Sequence, residues 1–172
     1  MTREEFETQI VFPIGKENTT FAQYFHGRSY LNMLTANGVI VGNVTFEPGC
    51  RNNWHIHHAK NGGGQILLVT AGRGYYQEWG EQARELHPGD TVVIPAGVKH
   101  WHGAAPDSWF AHLAVEVPGE ACSNKWCEPV SDEEYGKLKS AEANVARRAG
   151  PRRGRAPHGK KKCGLKRSRN QP

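Results

Sequence analysis

The sequence predicts an all-β fold, a sandwich or a barrel. Short β-rich segments alternate with turn signals, and helix signals occur only near the two ends. Glycine and proline pairs such as Pro48-Gly49 and Pro88-Gly89 separate these segments. A chain of 172 residues is long enough for one domain with a substantial core. The predicted strands are Val39–Glu47, Gln65–Thr70, Gly74–Trp79, Thr91–Ile94 and Trp109–Val117.

Two short helices are predicted, one near each end of the β-rich region. Thr2 and Glu5 have the spacing of an N-terminal cap for a first helix. Ser131 and Glu134 repeat this spacing, in which the serine oxygen accepts from the third helical amide and the glutamate reaches back. The second helix should therefore run from about Asp132 into the 140s.

Charge is distributed unevenly along the chain. Residues 1–140 carry 11 Lys/Arg and 16 Asp/Glu, a net charge of −5, whereas residues 141–172 carry 11 Lys/Arg and one Glu, a net charge of +10. The mildly acidic body argues against nucleic-acid binding by the domain itself. The segment 149–172 is nearly free of large apolar residues and is predicted to be a disordered basic tail.

The basic tail has two interpretations. Its lysines and arginines could bind a polyanion by releasing counterions, which makes it the one candidate for nucleic-acid binding. It could also be a solvated tail or an extension foreign to the domain. The second interpretation is favoured, because no aromatic residues for base stacking are interleaved with the charges.

The first residues and the cysteines indicate the expected compartment. MTREEFETQI lacks the basic start and apolar stretch of a secretory signal, and no apolar run approaches the ~20 residues of a membrane span. We therefore expect a cytoplasmic protein with no membrane partner. Its four irregularly spaced cysteines are expected to be free thiols, although Cys122 and Cys127 could clip a metal.

Five of the nine histidines fall where they can converge. His55 and His57 are two residues apart, and His100 and His102 repeat this spacing, so on strands each pair points to one face. His112 shares its strand face with Glu116. Alternate residues of a small barrel point inward, and buried imidazoles in such number are costly unless they are hydrogen-bonded or bound to a metal. The remaining histidines are interpreted as ordinary surface or loop residues, and His58 should point away from the interior.

Two motifs in this chain resemble those of the cupin superfamily. The first cupin motif is glycine, five residues, HxH, three or four residues, glutamate, six residues, glycine; the second is glycine, five residues, PxG, two residues, histidine, three residues, asparagine. The first is matched by Gly49, CRNNW, His55-Ile56-His57, HAKNGGG, Gln65, ILLVTA and Gly72, and the second by Gly89, DTVVI, Pro95-Ala96-Gly97, VK, His100 and, in place of asparagine, Ala104. The match covers about residues 39–117. It implies a jelly-roll barrel, also called a double-stranded β-helix.

The resemblance also implies an organisation of the chain. Residues 39–118 would form the cupin barrel, and 1–38 an N-terminal extension packing on it. Residues 119–148 would form a strand and helix segment, followed by the tail 149–172. Homodimers or higher homo-oligomers, which are common among cupins, are expected.

Within the superfamily, the chain resembles the small bacterial manganese cupins that act as hydroxynitrile lyases. The shared runs are VTFEPG (44–49), VTAG (69–72), HPGD (87–90) and KHWHGAAP (99–106). The resemblance implies that His55, His57, Gln65 and His100 are metal ligands, and that His102 and His112 have acid–base and substrate-orienting roles. Two departures alter the pocket: the loop before Gln65 is longer, through Lys60–Gly64, and Glu116 stands where that group has glutamine.

Three imidazoles and an amide are neutral ligands. They leave a divalent ion with its full charge and so make it a stronger Lewis acid than a glutamate ligand would. Mn(II) is the first expectation, Fe(II) the next, and Zn(II) is possible. His102 would act as general base on a cyanohydrin hydroxyl, and His112 would hold or reprotonate the departing anion. Glu116 would orient His112, or bind water near the barrel mouth.

The resulting hypothesis is a metal-dependent lyase acting on a small hydroxy or carbonyl substrate, with cyanohydrin-type C–C cleavage. One alternative is a cupin dioxygenase or oxidoreductase using Fe or Mn, which the missing glutamate disfavours. A further alternative is a non-catalytic small-molecule-binding cupin, which would need no base such as His102 beside the metal.

Overall fold

The structure is a computed structural model, and it describes residues 1–138. Two main sheets and a two-stranded sheet make up the β structure. The chain begins with helix α1 (Arg3–Glu7) and has a short 3-10 helix at Ala22–Tyr24. The strands are β1 Lys16–Glu17, β2 Phe25–His26, β3 Ser29–Thr35, β4 Val41–Phe46, β5 Arg51–Asn52, β6 His55–His58, β7 Asn61–Gly62, β8 Gln65–Gly72, β9 Gly74–Glu78, β10 Arg84–Leu86, β11 Thr91–Ile94, β12 Lys99–Ala104, β13 Phe110–Glu116, β14 Gly119–Glu120 and β15 Ser123–Trp126.

The first sheet has the strand order β1-β3-β4-β13-β8-β11, and all its pairs are antiparallel. In the second sheet, β9 lies between β10 and β12 and pairs with both. On its other side β12 pairs with β5 and with β6. Strand β5 pairs in turn with β2, and β6 pairs with β15. The main hydrophobic core lies between the two sheets and includes Phe46, Leu67, Ile94 and Phe110. Non-consecutive strands pairing across two sheets around one core is the jelly-roll arrangement.

The ends of the described chain cover the outer faces of the sheets. Helix α1 has the predicted capping box between Thr2 and Glu5, and it buries Phe6 in a stacked contact with Trp109, with ring centroids 5.3 Å apart. At the other end, residues 132–138 are helical, and Ser131 Oγ accepts from the Glu134 amide at 3.1 Å. Two smaller apolar clusters therefore seal the barrel from outside.

The five predicted strands are confirmed, each to within two residues at either end. Among the strands of three or more residues, Ser29–Thr35 and Arg84–Leu86 were not predicted, because the first lacks a clear alternation and the second is only three residues long. Ser123–Trp126 lies in the segment 119–148, where a strand and a helix were expected. The predicted tail 149–172 and the continuation of the second helix beyond residue 138 lie outside the described residues. Within residues 1–138 no helix is long and apolar enough to cross a bilayer.

Candidate functional site

Strand pairing brings three histidines together inside the barrel. In the antiparallel pair of β6 and β12, His55 lies directly opposite His100, and their ring centroids are 4.1 Å apart. His57 points to the same face two residues later, 5.2 Å from His55 and 5.5 Å from His100 between centroids. One nitrogen from each ring lies within 4.8 Å of the others, and all three side chains are buried. This group could hold a metal ion.

Hydrogen bonds fix two of these rings by their Nδ1 atoms. His55 Nδ1 donates to the Asn53 carbonyl at 2.9 Å, and His100 Nδ1 donates to the Val98 carbonyl at 3.0 Å. A backbone carbonyl accepts only, so both rings carry their proton on Nδ1 when neutral and leave Nε2 as a free donor atom for a metal. His100 Nε2 is buried without a hydrogen-bond partner, which fits this assignment.

Gln65 and Glu116 lie beside the three-histidine group. Gln65 is the first residue of β8, where its spacing to Gly72 places it, and Glu116 is its register partner on β13. Gln65 Nε2 donates to Glu116 Oε1 at 2.7 Å, while Gln65 Oε1 is buried without a partner. Glu116 Oε2 lies 3.3 Å from His57 Nδ1, which is ion-pair distance without the alignment of a full hydrogen bond.

The longer loop before Gln65 folds outward and leaves the ligand strands in place. Within it, β7 pairs with β14, and Lys60 forms an ion pair with Glu120 at 2.8 Å. Gly62, Gly63 and Gly64 all have positive φ. At Gly64, with φ +94°, an added Cβ would lie 2.3 Å from the Ile94 carbonyl oxygen, so glycine is required directly before Gln65.

His102 and His112 form a second pair of rings beside the first group. They come from β12 and β13, which belong to different sheets, and His112 Nε2 lies 3.1 Å from His102 Nδ1. Asn52 accepts from the His102 backbone N–H at 3.0 Å, which turns its Nδ2 to within 3.1 Å of His102 Nε2. The same Nδ2 lies 3.3 Å from His102 Nδ1, so Asn52 holds the ring in place without selecting one of its two nitrogens.

Burial favours the neutral form of His100, His102 and His112. Desolvation lowers the pKa of His100 and of His112 to about 4. It also places the pKa of His102 well below the usual value, an effect that the neighbouring His112 strengthens. For Glu116, burial acts to raise the pKa, but the contacts with His57 and Gln65 outweigh it and the net shift is downward. At neutral pH these three rings are therefore neutral, and the Glu116 carboxylate lies in the same site.

A cavity of about 400 Å³ opens onto both groups. Its polar lining includes His55, His57, Gln65, Glu116 and His102. Its apolar lining includes Phe25, Leu31, Val44, Ala114 and Trp126. His58 is exposed, as expected for a residue that points away from His57, and it reaches only the rim. The shape suits a small molecule with one polar and one apolar end.

The structure thus brings all six predicted site residues together, although His100 and His112 are not among the residues that line the cavity. His112 is fully buried and contacts His102. Glu116 contacts Gln65 and His57, so the interpretation that it orients His112 is wrong. Asn52 was missed, because nothing in its spacing marks an asparagine before HxH as a partner of a ring fifty residues later.

The donor set fits a divalent cation. Among the described residues, ring nitrogens of His57 and His100 and the amide oxygen of Gln65 are buried without hydrogen-bond partners, and both rings belong to the three-histidine group. Such atoms are costly to bury without a partner, and imidazole and amide oxygen suit Mn(II) and Fe(II). His55, His57, His100 and Gln65 would hold such an ion.

A jelly-roll barrel with a three-histidine cluster on its inner face defines the class of protein, and comparisons agree. The model of the Cupin domain family matches residues 42–115. A cupin-like protein from Thermotoga maritima is similar in structure, with a TM-score of 0.64 and 38% identity, covering 74% of this chain and 95% of that one. The chain belongs to the cupin superfamily.

Among curated proteins, the chain is similar to an (R)-mandelonitrile lyase from Granulicella tundricola. The two are 48% identical over 92 residues, which cover 54% of this chain and 67% of that protein. The predicted likeness to hydroxynitrile lyase cupins is thereby confirmed at the level of sequence.

Proposed function

We propose that this protein is a divalent-metal-dependent lyase that cleaves a cyanohydrin-type carbon–carbon bond, with Mn(II) as the first choice of metal and Fe(II) the next. The observation that carries the proposal is His102. It is a neutral imidazole that lines the cavity beside the three-histidine group without belonging to it. The similarity to an (R)-mandelonitrile lyase supports this assignment.

Each residue has a defined part in the proposed reaction. The metal ion would supply Lewis acidity that lowers the pKa of a substrate hydroxyl. His102 accepts the hydroxyl proton, the carbon–carbon bond breaks to give an aldehyde, and the departing cyanide takes the proton from His102 to leave as hydrogen cyanide. His112 acts through His102, since it is buried behind that ring with Nε2 3.1 Å from His102 Nδ1.

The apolar lining of the cavity indicates the kind of substrate. Phe25, Leu31 and Trp126 line the same cavity as the polar side chains and provide apolar surface for an aromatic or branched aliphatic group. Burying such a group contributes roughly 25 cal/mol per Å² of apolar surface. An uncharged cyanohydrin of an aromatic aldehyde has one polar and one apolar end, as this cavity requires.

The test is release of benzaldehyde from racemic mandelonitrile by the Mn(II)-loaded protein in the absence of oxygen. We expect release well above buffer, and above the same protein treated with a chelator. No release from a sample with full metal content would exclude cyanohydrin cleavage of this substrate. Oxygen uptake by the iron-loaded protein would instead support the oxygenase alternative.

Asn52→Asp should lower turnover while leaving the metal group intact. The new carboxylate can still accept from the His102 backbone N–H, but beside the ring it would stabilise the protonated imidazolium. A ring that is already protonated cannot accept the substrate proton. We expect turnover to fall by about 10-fold or more, part of the ~10²–10⁴-fold contribution of a general base. Steady-state kinetics and metal content measure this, and parent-like turnover would contradict the role of Asn52.

A further inference from the structure

One of the three clustered histidines lacks the backbone anchor of the other two. His55 and His100 each donate Nδ1–H to the carbonyl two residues earlier. Among residues 1–138, His57 Nδ1 has no hydrogen-bond partner of this kind, and its close polar neighbour is the Glu116 carboxylate, with Oε2 at 3.3 Å. A carboxylate beside Nδ1 favours the tautomer that keeps the proton there, which frees Nε2 for a metal.

The other oxygen of the same carboxylate faces Gln65. An amide side chain can rotate by 180° and exchange its oxygen for its nitrogen, but only the oxygen is a metal ligand. Glu116 Oε1 accepts from Gln65 Nε2 at 2.7 Å, and an ionised carboxylate cannot donate to an amide oxygen. The contact therefore selects the rotamer in which Gln65 Oε1, buried and unpartnered, is turned away from Glu116.

We propose that Glu116 is a positioning residue that sets the donor atoms of both His57 and Gln65, one with each carboxylate oxygen. The proposal rests on the metal site inferred above. Glu116 lies in the right place for this role. It is the direct register partner of Gln65 at the end of the β13–β8 ladder, and both residues line the cavity. Glu116 also brings one negative charge beside four neutral ligands.

Replacing the Glu116 carboxylate by an amide tests this proposal, because an amide has one oxygen that accepts and one NH₂ group that donates. In Glu116→Gln, the introduced amide must offer its oxygen to Gln65 Nε2, so its NH₂ group faces His57 Nδ1. That ring would then accept at Nδ1 and carry its proton on Nε2, where a metal should bind. The alternative rotamer satisfies His57 but opposes two NH₂ groups at Gln65. In either rotamer of the introduced amide, one of the two ligands, His57 or Gln65, therefore does not have its accepting atom free for the metal.

Exchanging the two side chains removes this conflict. In the double variant Gln65→Glu with Glu116→Gln, the introduced amide donates its NH₂ to the carboxylate at position 65, and its oxygen accepts from His57 Nδ1–H. Every donor again has an acceptor, and His57 Nε2 is free. Gln65→Glu alone would instead set two carboxylates against each other.

Mn(II) titration of the full-length protein, followed by the EPR signal of free aqueous Mn(II), measures the dissociation constant of each variant. We expect Glu116→Gln and Glu116→Ala to raise the Kd by about 10–100-fold, the usual effect of removing a partner that orients a ligand. The double variant should bind Mn(II) at least as tightly as the parent, because it restores the donor atoms and its carboxylate at position 65 is a charged ligand. Glu120→Gln, an exposed acid at the loop edge with 58% of its side chain accessible, serves as the matched control and should leave the Kd unchanged.

The outcomes separate this proposal from the one on which it rests. An unchanged Kd in Glu116→Gln, or a double variant no tighter than the single one, would overturn the positioning role while the metal site stands. Complete loss of Mn(II) from Glu116→Gln that the double variant does not restore would make Glu116 a ligand instead. A parent that binds no Mn(II) would overturn both proposals. Thermal unfolding of the metal-free variants checks that each one folds.

Discussion

Replacing His102 by alanine is expected to lower the rate of mandelonitrile cleavage by about 10²–10⁴-fold, the range that a positioned general base contributes. The ring lines the cavity and stands outside the three-histidine group, so its removal deletes the proton acceptor and leaves the candidate ligands in place. Turnover of the Mn(II)-loaded variant, divided by its measured metal content, gives the effect. Binding of substrate should change far less than kcat.

His87→Ala is a suitable control for this variant, because His87 is exposed and its ring forms an ion-pair contact with Glu85, at 3.1 Å, away from the cavity lining. It should keep the activity of the parent. If His102→Ala were as active as this control at equal metal content, the base would have to be another group. His112, whose Nε2 lies 3.1 Å from His102 Nδ1, would then have to act without His102.

His55→Ala is expected to abolish the effect of Mn(II) on thermal stability. A ligand at 100 times its Kd stabilises a folded protein by about 2.7 kcal/mol, which for a chain of this size raises Tm by roughly 5–10 °C. Without the central ring of the cluster, affinity should fall by more than the about 100-fold expected for an orienting partner. Thermal scans with and without Mn(II) measure both proteins under identical conditions.

The neighbouring histidine offers a matched control. His58 follows His57 directly, yet its side chain is exposed at the cavity rim. His58→Ala should therefore keep the full Mn(II)-dependent rise in Tm. An equal rise in His55→Ala would show that the ion binds elsewhere, and the candidate metal group would be wrong.

Much of the candidate site followed from the periodicity of strands. Because side chains alternate between faces, two HxH pairs on strands must each point two rings the same way, and the structure places His55, His57, His100 and His102 in this manner. The position of Gln65 followed from its distance to Gly72 at the other end of the same strand. Regular local geometry carries such information over a few residues.

The contacts between side chains on different strands could not be predicted from the sequence. The partners of Glu116 depend on the register of β13 against β8, and the contact of Asn52 with His102 joins residues fifty positions apart. Likewise, the burial of His112 behind His102 depends on how two sheets face each other. None of these follows from alternation along one strand, since each is a property of the packed barrel.

The outward fold of Lys60–Gly64 separates distance along the chain from distance in space. Seven residues part His57 from Gln65, yet the extra length is absorbed by a small ribbon tied to Gly119–Glu120, and the two ligand strands keep their places. Insertions at this point can therefore vary the entrance of the pocket while the chemistry inside stays the same. In such a barrel, the loop before the fourth ligand can therefore change in length without moving the strands that carry the candidate metal ligands.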